Sequence, residues 1–494
     1  MTGDRLAAAR LPRLLTVVDG VAVEGGGEAF EVVSPVDGSR LGGPCSSSAD
    51  QVRTAVGAAR SALPGWSATP ADERSHVLMR LADSLLRDID RLATLITLEN
   101  GKTYPESELD VRAAAALLES AAGWATRLKG TTLVEGSDLE RLTWREPVGV
   151  VAIFMPFNAP LMFSALKAGA AIAVGNTAVI KSPMQNPYAI GAFMEHVAAV
   201  GIPSGVVNLV QGGGDVGQQL VGDSEIDMVS FTGSSRVGAL VGQHAIGHHK
   251  RLLLELGGKS ANIVYDDAPL DAAVAGSLGA IFRNSGQRCF SGSRLLLQHG
   301  IADRFLEAYV AAAGDLRVGD PFDPATQVGT LITHADVDRV HAMVERARAE
   351  GATVLCGGAP LRAPGGGAHY APTVIDASEV PEATILKEEV FGPVVVVQRF
   401  TSETEAIRLA NSSEYALAGG CWSTDLGRAL RTARAVDAGM FWVNAYAAHG
   451  GVETTIGGRG SSGFGQEMGE EGLSAYTNVK TVLIDVHGNA VKGM

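Results

Sequence analysis

Cysteine is scarce in this chain of 494 residues: four occur, Cys45, Cys289, Cys356 and Cys421, far apart and with no Cys-x-x-Cys pair. No Cys/His grouping stands at metal-ligand spacing either, so no disulfide framework, zinc cluster or other metal site is legible. Basic residues are outnumbered, 40 Lys and Arg against 54 Asp and Glu, giving a net charge of −14. Such a chain repels polyanions, which makes nucleic acid and anionic lipid poor partners and leaves a small or neutral ligand as the better one. The N-terminus has Arg5, Arg10 and Arg13 among apolar residues, but no apolar core of about 7–15 residues with a small-residue cleavage site follows, so the expected address is cytoplasmic. Internal repeats of the usual periods are absent. The longest uncharged run, residues 147–166 (PVGVVAIFMPFNAPLMFSAL), is long enough to cross a bilayer at roughly 20 residues. Its Pro147, Pro156, Asn158 and Pro160 would leave polar groups unsatisfied in lipid, and the run reads as a buried strand, loop and helix instead.

What the sequence does contain is apolar surface to bury: hydrophobic residues are 46% and charged residues 19% of the chain. At roughly 100–200 residues per domain, the length implies two to four domains. The 61 glycines fall in short clusters between apolar runs, the pattern of tight strand-to-helix turns. Residues 70–98 predict one helix, capped by Thr69 with Pro70 in its first turn and Leu78, Leu81, Leu85, Ile89 and Leu92 on one face. From Val148 onward, β-branched runs (Val148–Phe154, Thr177–Lys181, Val206–Val210, Met228–Phe231) alternate with helical segments (Leu161–Val174, Tyr188–Val200, Ser235–Ile246). This alternation predicts a parallel α/β sheet. A second α/β series starts at Ala261–Tyr265 and Leu270–Asn284 and runs to about residue 470, which places ligand between two layers. Thr131–Glu146, around the turn Glu135-Gly136-Ser137-Asp138, predicts a hairpin, and Tyr476–Val486 a lone terminal strand. Both need partners, from each other or across a subunit boundary.

Four segments carry chemistry. Gly212-Gly213-Gly214-Asp215-Val216-Gly217 matches Gly-x-Gly-x-x-Gly after a strand, yet no acidic residue ends a strand about twenty positions later, so it reads either as a dinucleotide turn or as a plain glycine-rich one. Ser230-Phe231-Thr232-Gly233-Ser234-Ser235 runs from strand into helix and aims free amides at whatever lies above, a geometry suited to phosphate. Glu255 ends the apolar run Leu252-Leu253-Leu254 and is either a solvated strand end or a carboxyl held there for proton transfer. Cys289 stands in the glycine-flanked turn Asn284-Ser285-Gly286-Gln287-Arg288-Cys289-Phe290-Ser291-Gly292, as an inert core thiol or as a nucleophile.

In order and approximate spacing these segments resemble the aldehyde dehydrogenase superfamily over nearly the whole chain. Pro156-Phe157-Asn158, Phe231-Thr232-Gly233-Ser234, Leu254-Glu255-Leu256-Gly257-Gly258, Gly286-Gln287-Arg288-Cys289, Glu389-Val390-Phe391-Gly392-Pro393 and Trp442-Val443-Asn444 are similar to six of its motifs. The resemblance implies a Rossmann-type cofactor-binding domain (residues 1–129 and 147–257), an α/β catalytic domain (258–474) and a small β oligomerisation arm (130–146 and 475–494). It implies Cys289 as the nucleophile that forms a thiohemiacetal and then a thioester. The Asn158 amide and the Cys289 N–H would bind the oxyanion, and Glu255 would activate the hydrolytic water. For the cofactor it implies Ser234, Gly233 and the amides that follow at the pyrophosphate, Lys181 and position 184 at the adenosine ribose, and Glu389 at the nicotinamide ribose. Phe157 and Phe391 complete that set. Gly212–Gly217 then becomes an ordinary turn on the adenine side.

Three departures from the family pattern matter. Lys181-Ser182-Pro183-Met184 lacks the glutamate that grips the ribose diol and rejects a 2′-phosphate, so NAD is expected with NADP open. Thr455-Ile456-Gly457-Gly458 lacks the usual aromatic, and Arg288 precedes the nucleophile where small or apolar residues are commoner. Arg283 stands six residues before Cys289 as in the succinic semialdehyde branch, while that branch's second arginine position is Leu166. Arg283 and Arg288 either hold an anionic substrate tail or make structural ion pairs. With Ala159, Met162, Leu166, Phe290 and Ile456 they form the expected pocket, a rather apolar and little aromatic set suited to a medium-sized aldehyde. Besides a hydrolytic NAD(P)-dependent enzyme, self-associated as dimer or tetramer, two alternatives stand: a CoA-acylating semialdehyde dehydrogenase, which the presence of Glu255 opposes, and a non-catalytic relative.

Overall fold

The computed structural model describes residues 2–13, 15–133, 139–362, 365–447 and 451–485. Five apolar runs form parallel strands: β1 (Val150–Phe154), β2 (Thr177–Lys181), β3 (Val207–Val210), β4 (Met228–Thr232) and β5 (Arg251–Glu255), in the spatial order β3-β2-β1-β4-β5. Side chains alternate across a strand, so a run that is apolar at every position needs cover on both faces. Along β1, Val151 and Ile153 enter the core built on the helices of residues 71–125 and 160–199. Val150, Ala152 and Phe154 enter a second core with helices Ala49–Ala68, Gly214–Gly222 and Ser235–Gly247. Strand order reverses between β1 and β4, and a crevice opens above the carboxyl ends of strands at such a switch point. The residues that follow those ends are Asn158 and Ser234.

A second sheet takes β6 (Ala261–Val264), β7 (Arg294–Gln298), β8 (Thr373–Asp376), β9 (Val394–Phe400), β10 (Ala418–Trp422) and β11 (Met440–Val443), all parallel, in the order β8-β9-β7-β6-β10-β11. The molecule is thus α/β with two sheets in sequence, joined by the short crossing Leu256–Ser260 between β5 and β6. The sheets are not strictly sequential, because Gly463–Phe464 returns to pair antiparallel with the end of β5. That return reaches back over Glu255, whose register partner is Gly463.

Several local expectations shift. Residues 70–98 are two helices, Ala71–Arg87 and Ile89–Asn100, broken at Asp88. Thr69 caps the end of the preceding helix and Pro70 stands at the N-cap. At the break Asp88 leaves helical geometry, and its carboxylate pairs with Arg10 and Arg91, charges that a leucine periodicity does not register. The segment Leu270–Asn284 stops being helical at Phe282. The uncharged run 147–166 divides into β1, a loop and helix Pro160–Ala173. Among the described residues no helix is long and apolar enough to cross a membrane. Thr477–Asp485 pairs antiparallel with Leu139–Pro147, which also takes Thr132–Leu133. The expected turn 135–138 lies outside the described residues, as does the end of the chain from 486.

Ile153 is fully buried at the middle of the first sheet. Ile153→Ala leaves a cavity in that core and is expected to cost about 2–5 kcal/mol, read as a lower midpoint in thermal melting; an unchanged midpoint contradicts the packing described.

Candidate active site

Asn158 follows β1 and is held at both ends. Its backbone oxygen accepts from the Lys102 ammonium at 2.8 Å and from Asn284 Nδ2 at 3.2 Å, and its own Nδ2 donates to the Gln287 carbonyl at 3.0 Å. One of its two amide hydrogens is therefore used to fix the side chain, leaving the other free.

Cys289 comes after a turn that ordinary backbone preferences oppose. Asn284 (φ 49°), Ser285 (φ 52°) and Gly286 (φ 73°) are successive left-handed residues, a cost for two side-chain-bearing positions that the surroundings must offset. Glu106 Oε1 accepts the Asn284 N–H at 2.8 Å, and Gln287 Oε1 accepts the Ile332 N–H at 2.9 Å. Glycine is required at 286, where a methyl would lie 2.0 Å from the Gly392 oxygen. The thiol that results is half-buried. Burial, then the charges of Glu255 and Glu389, push it up to about 12 against the opposing pull of Arg288 and the Phe290 N–H. The Cys289 N–H donates to no group among the described residues and is available to an oxyanion.

Glu255 is not a solvated strand end. It is 6% exposed and its Oε1 has no hydrogen-bond partner among the described residues. Burial first, then the neighbouring Glu467, raise its pKa well above the carboxylate range, while Lys167 and the Gly458 N–H oppose. Glu467 itself pairs with the Lys167 ammonium, which also donates to Ser230 Oγ at 3.0 Å. Two acids thus draw on one buried cation, and the one without direct contact, Glu255, holds its proton more tightly. A carboxyl held neutral this way beside a thiol is a candidate for proton transfer.

The crossing between sheets brings these parts together. A methyl on Gly257 would lie 2.6 Å from Glu389 Oε2, and one on Gly258 would lie 2.2 Å from the Cys289 oxygen. The Gly258 N–H donates to Glu389 Oε1 at 2.8 Å. Burial raises Glu389 to about 7 although that N–H, Lys259 and Arg339 favour its charge. The neighbouring Phe391, at φ 49°, sets its ring 5.6 Å from that of Phe157 in an edge-on pair.

A cleft of about 870 Å³ opens beside β2 and β4, lined among others by Phe154, Lys181, Gly213, Gly214, Gly217 and Val237. Two glycines here are packed against rings: a methyl on Gly217 would stand 3.2 Å from the Phe154 ring, and one on Gly233 2.7 Å from that of Phe231. Burial lowers the Lys181 ammonium to about 8, and its one hydrogen bond is to the adjacent Ser182 carbonyl at 3.2 Å. Ser234 caps the helix Ser235–Gly247 by accepting the Val237 N–H. The Gly233 N–H is taken by the Glu255 carbonyl at 3.1 Å, so among the described residues the amides open to an anion are those after Gly233. Met184 lies by Gly213, its sulfur 3.6 Å from where a methyl would stand there. These features fit a dinucleotide, with a lysine and open amides at its polar groups, and Glu389 toward the thiol.

Of the expected pocket, Ala159 and Leu166 are buried, and Met162, Phe290 and Ile456 half-buried. Ile456 forms a bridge to Glu467 through two 2.8 Å hydrogen bonds, which sets it near Glu255. Two further rings stand in line with Phe290, which lies 6.1 Å from Trp442, itself 5.1 Å from Tyr446. Those two rings come from β11 and its following loop, far along the chain. Neither Arg283 nor Arg288 makes an ion pair among the described residues. Arg288 sits 4.4 Å over the Phe290 ring, and Arg283 is exposed. Reasoning from sequence missed Lys102, Glu106, Lys167 and Glu467. Lys167 had a signal, as the one charge in helix Pro160–Ala173. No group of three or more metal-ligating side chains occurs among the described residues.

A half-buried thiol facing a proton-holding carboxyl, with a dinucleotide-shaped cleft alongside, is the site of a covalent oxidoreductase. Residues 22–482 match the profile of the Aldehyde dehydrogenase family. The mitochondrial aldehyde dehydrogenase of Homo sapiens is 39% identical over 467 residues, 93% of this chain and 89% of that protein. The NADP(+) succinate-semialdehyde dehydrogenase GabD of Escherichia coli is 36% identical over 461 residues, 93% of this chain and 95% of that one. The crystal structure of PnpE from a Pseudomonas species, in complex with nicotinamide adenine dinucleotide, is 40% identical with a TM-score of 0.94, covering 97% of this chain and 98% of that one. The chain belongs to the aldehyde dehydrogenase family.

Ionised Glu255 and the Cys289 thiolate oppose one another, so Glu255→Gln is expected to move the pH profile of iodoacetamide labelling of Cys289, scanned over about pH 7–10, toward lower pH. A profile that stays in place or moves up contradicts the electrostatics of the site.

Proposed function

We propose that the protein oxidises an aldehyde to the carboxylic acid through a cysteine thioester, with NAD or NADP as the oxidant and Glu255 as the base for hydrolysis. The observation that carries this reading is the thiol of Cys289 under the electrostatic influence of a buried, proton-holding Glu255. The Cys289 sulfur passes its proton to solvent and adds to the aldehyde carbon, forming the C–S bond as the carbonyl π electrons move onto oxygen. The Asn158 amide and the Cys289 N–H then hold the oxyanion, each such donor being worth about 10²–10³ in rate. NAD or NADP held in the cleft would supply the oxidant, taking hydride from that carbon; the NAD complex of PnpE and the NADP(+) in the name of the GabD relative support either dinucleotide. The adduct at Cys289 becomes a thioester. Glu255, once its own proton has passed to solvent, takes a proton from water, and the hydroxide so formed adds to the thioester carbon and displaces the Cys289 sulfur as thiolate, releasing the acid. Lys181, Ser234, the amides after Gly233 and Glu389 would hold the dinucleotide, with Phe157, Phe391, Gly233 and Met184 shaping its surroundings.

The substrate body meets Ala159, Met162, Leu166, Phe290 and Ile456. Arg288, raised over Phe290 without an ion pair, and Arg283 favour an aldehyde with an anionic end, as in the name of the GabD relative. The arm supports self-association: Leu133, Trp144, Val479, Leu483 and Ile484 are exposed on its three strands, and apolar residues on an uncovered sheet favour a partner.

Cys289→Ala is expected to abolish aldehyde-dependent formation of NADH or NADPH in a CoA-free assay while the dinucleotide still binds. Turnover near that of the unmodified protein overturns the covalent reading, and turnover that requires CoA transfers the assignment to an acylating enzyme.

A further inference from the structure

Position 184 carries a methionine where the resemblance puts a carboxylate, yet an aspartate adjoins Gly214, one of the residues that line the cleft. Asp215 lies in the first turn of helix Gly214–Gly222. Built on Gly213, a methyl would stand 3.3 Å from Asp215 Oδ1 and 3.6 Å from Met184 Sδ, so the aspartate and the methionine border the same glycine. Within that helix Gly217 borders the stem of Lys181, whose Cε would lie 3.7 Å from a methyl there. Asp215 is exposed and has no hydrogen bond or ion pair among the described residues, while its charge acts on the Lys181 ammonium. Among the described residues that line the cleft, Lys181 and His244 are the basic side chains and none is an arginine.

We infer that Asp215 is the residue that sets the choice between the two dinucleotides, accepting from the adenosine ribose hydroxyls opposite Lys181 and repelling a 2′-phosphate. This rests on the dinucleotide reading of the cleft given above. A ribose diol offers two donors, and a carboxylate accepts both where a thioether accepts neither well. The phosphate of NADP replaces one donor with about two negative charges, which a nearby carboxylate disfavours, and no guanidinium lines the cleft to offset it. The chain therefore keeps a preference for NAD through a residue supplied by a different loop.

The test is equilibrium binding of NAD and NADP to the full-length protein, followed by quenching of its tryptophan fluorescence, with no aldehyde present. The unmodified protein is expected to bind NAD at least about tenfold more tightly than NADP, and Asp215→Asn and Asp215→Ser to reduce that ratio about tenfold, mainly by tightening NADP. Adding Met184→Glu to Asp215→Asn is expected to restore the preference for NAD. A ratio unchanged in both Asp215 variants, or an unmodified protein that binds NADP as tightly as NAD, overturns the inference. Failure of either dinucleotide to bind the unmodified protein removes the cofactor reading itself, a result distinct from a ratio that Asp215 does not control.

Discussion

Gly257 and Gly258 carry no side chain because there is no space for one: the oxygens of Glu389 and Cys289 lie where a Cβ would be. This close approach is the constraint on which the site depends. The chain leaves the first sheet at Glu255 and enters the second at Ala261, and the backbone between them runs directly under the nucleophile turn. An ordinary side chain at either glycine would push the thiol away from the acid that ends β5. Sequence separation between Glu255, Cys289 and Glu389 is thus cancelled by one short crossing that packs backbone on backbone.

What converges there is electrostatically uneasy. A thiol and three carboxyl groups, those of Glu255, Glu389 and Glu467, share surroundings with one buried ammonium in direct contact with an acid, Lys167. Removed from water, such groups cannot all ionise, and the result is a thiol pushed up and a carboxyl that keeps its proton. The strained Asn284-Ser285-Gly286 turn belongs to the same design. Glu106, from a helix in the other half of the molecule, holds it by a single 2.8 Å hydrogen bond, and so ties the presentation of the sulfur to the packing of the two sheets.

Much of this was legible in the sequence, for physical reasons that differ by element. Thr177–Lys181 and Met228–Thr232 show as strands because runs buried on both faces must be apolar throughout. Cys289, Glu255 and Asn158 stood out through the resemblance, since each alone had an equally good bland reading. The break at Asp88 and the early stop at Phe282 were not legible, because the partners that meet the chain there are distant in sequence, Arg10 and Glu106 among them. The same holds for the rings of Trp442 and Tyr446 and for the Lys167–Glu467 pair. Asp215 was quoted within a glycine motif as a spacer residue, and only its position beside Met184 gives it a role.

The central claim is that the acyl group passes through the sulfur of Cys289 and waits there for Glu255. It is tested most directly by mixing Glu255→Gln with excess aldehyde and the dinucleotide, quenching in acid, and weighing the proteolytic peptides by mass spectrometry. The account predicts an acyl adduct on the peptide that contains Cys289 and on none that contains Cys45, Cys356 or Cys421. Stoichiometric reduction of the dinucleotide with no adduct at Cys289, or with the adduct on another cysteine, would contradict it.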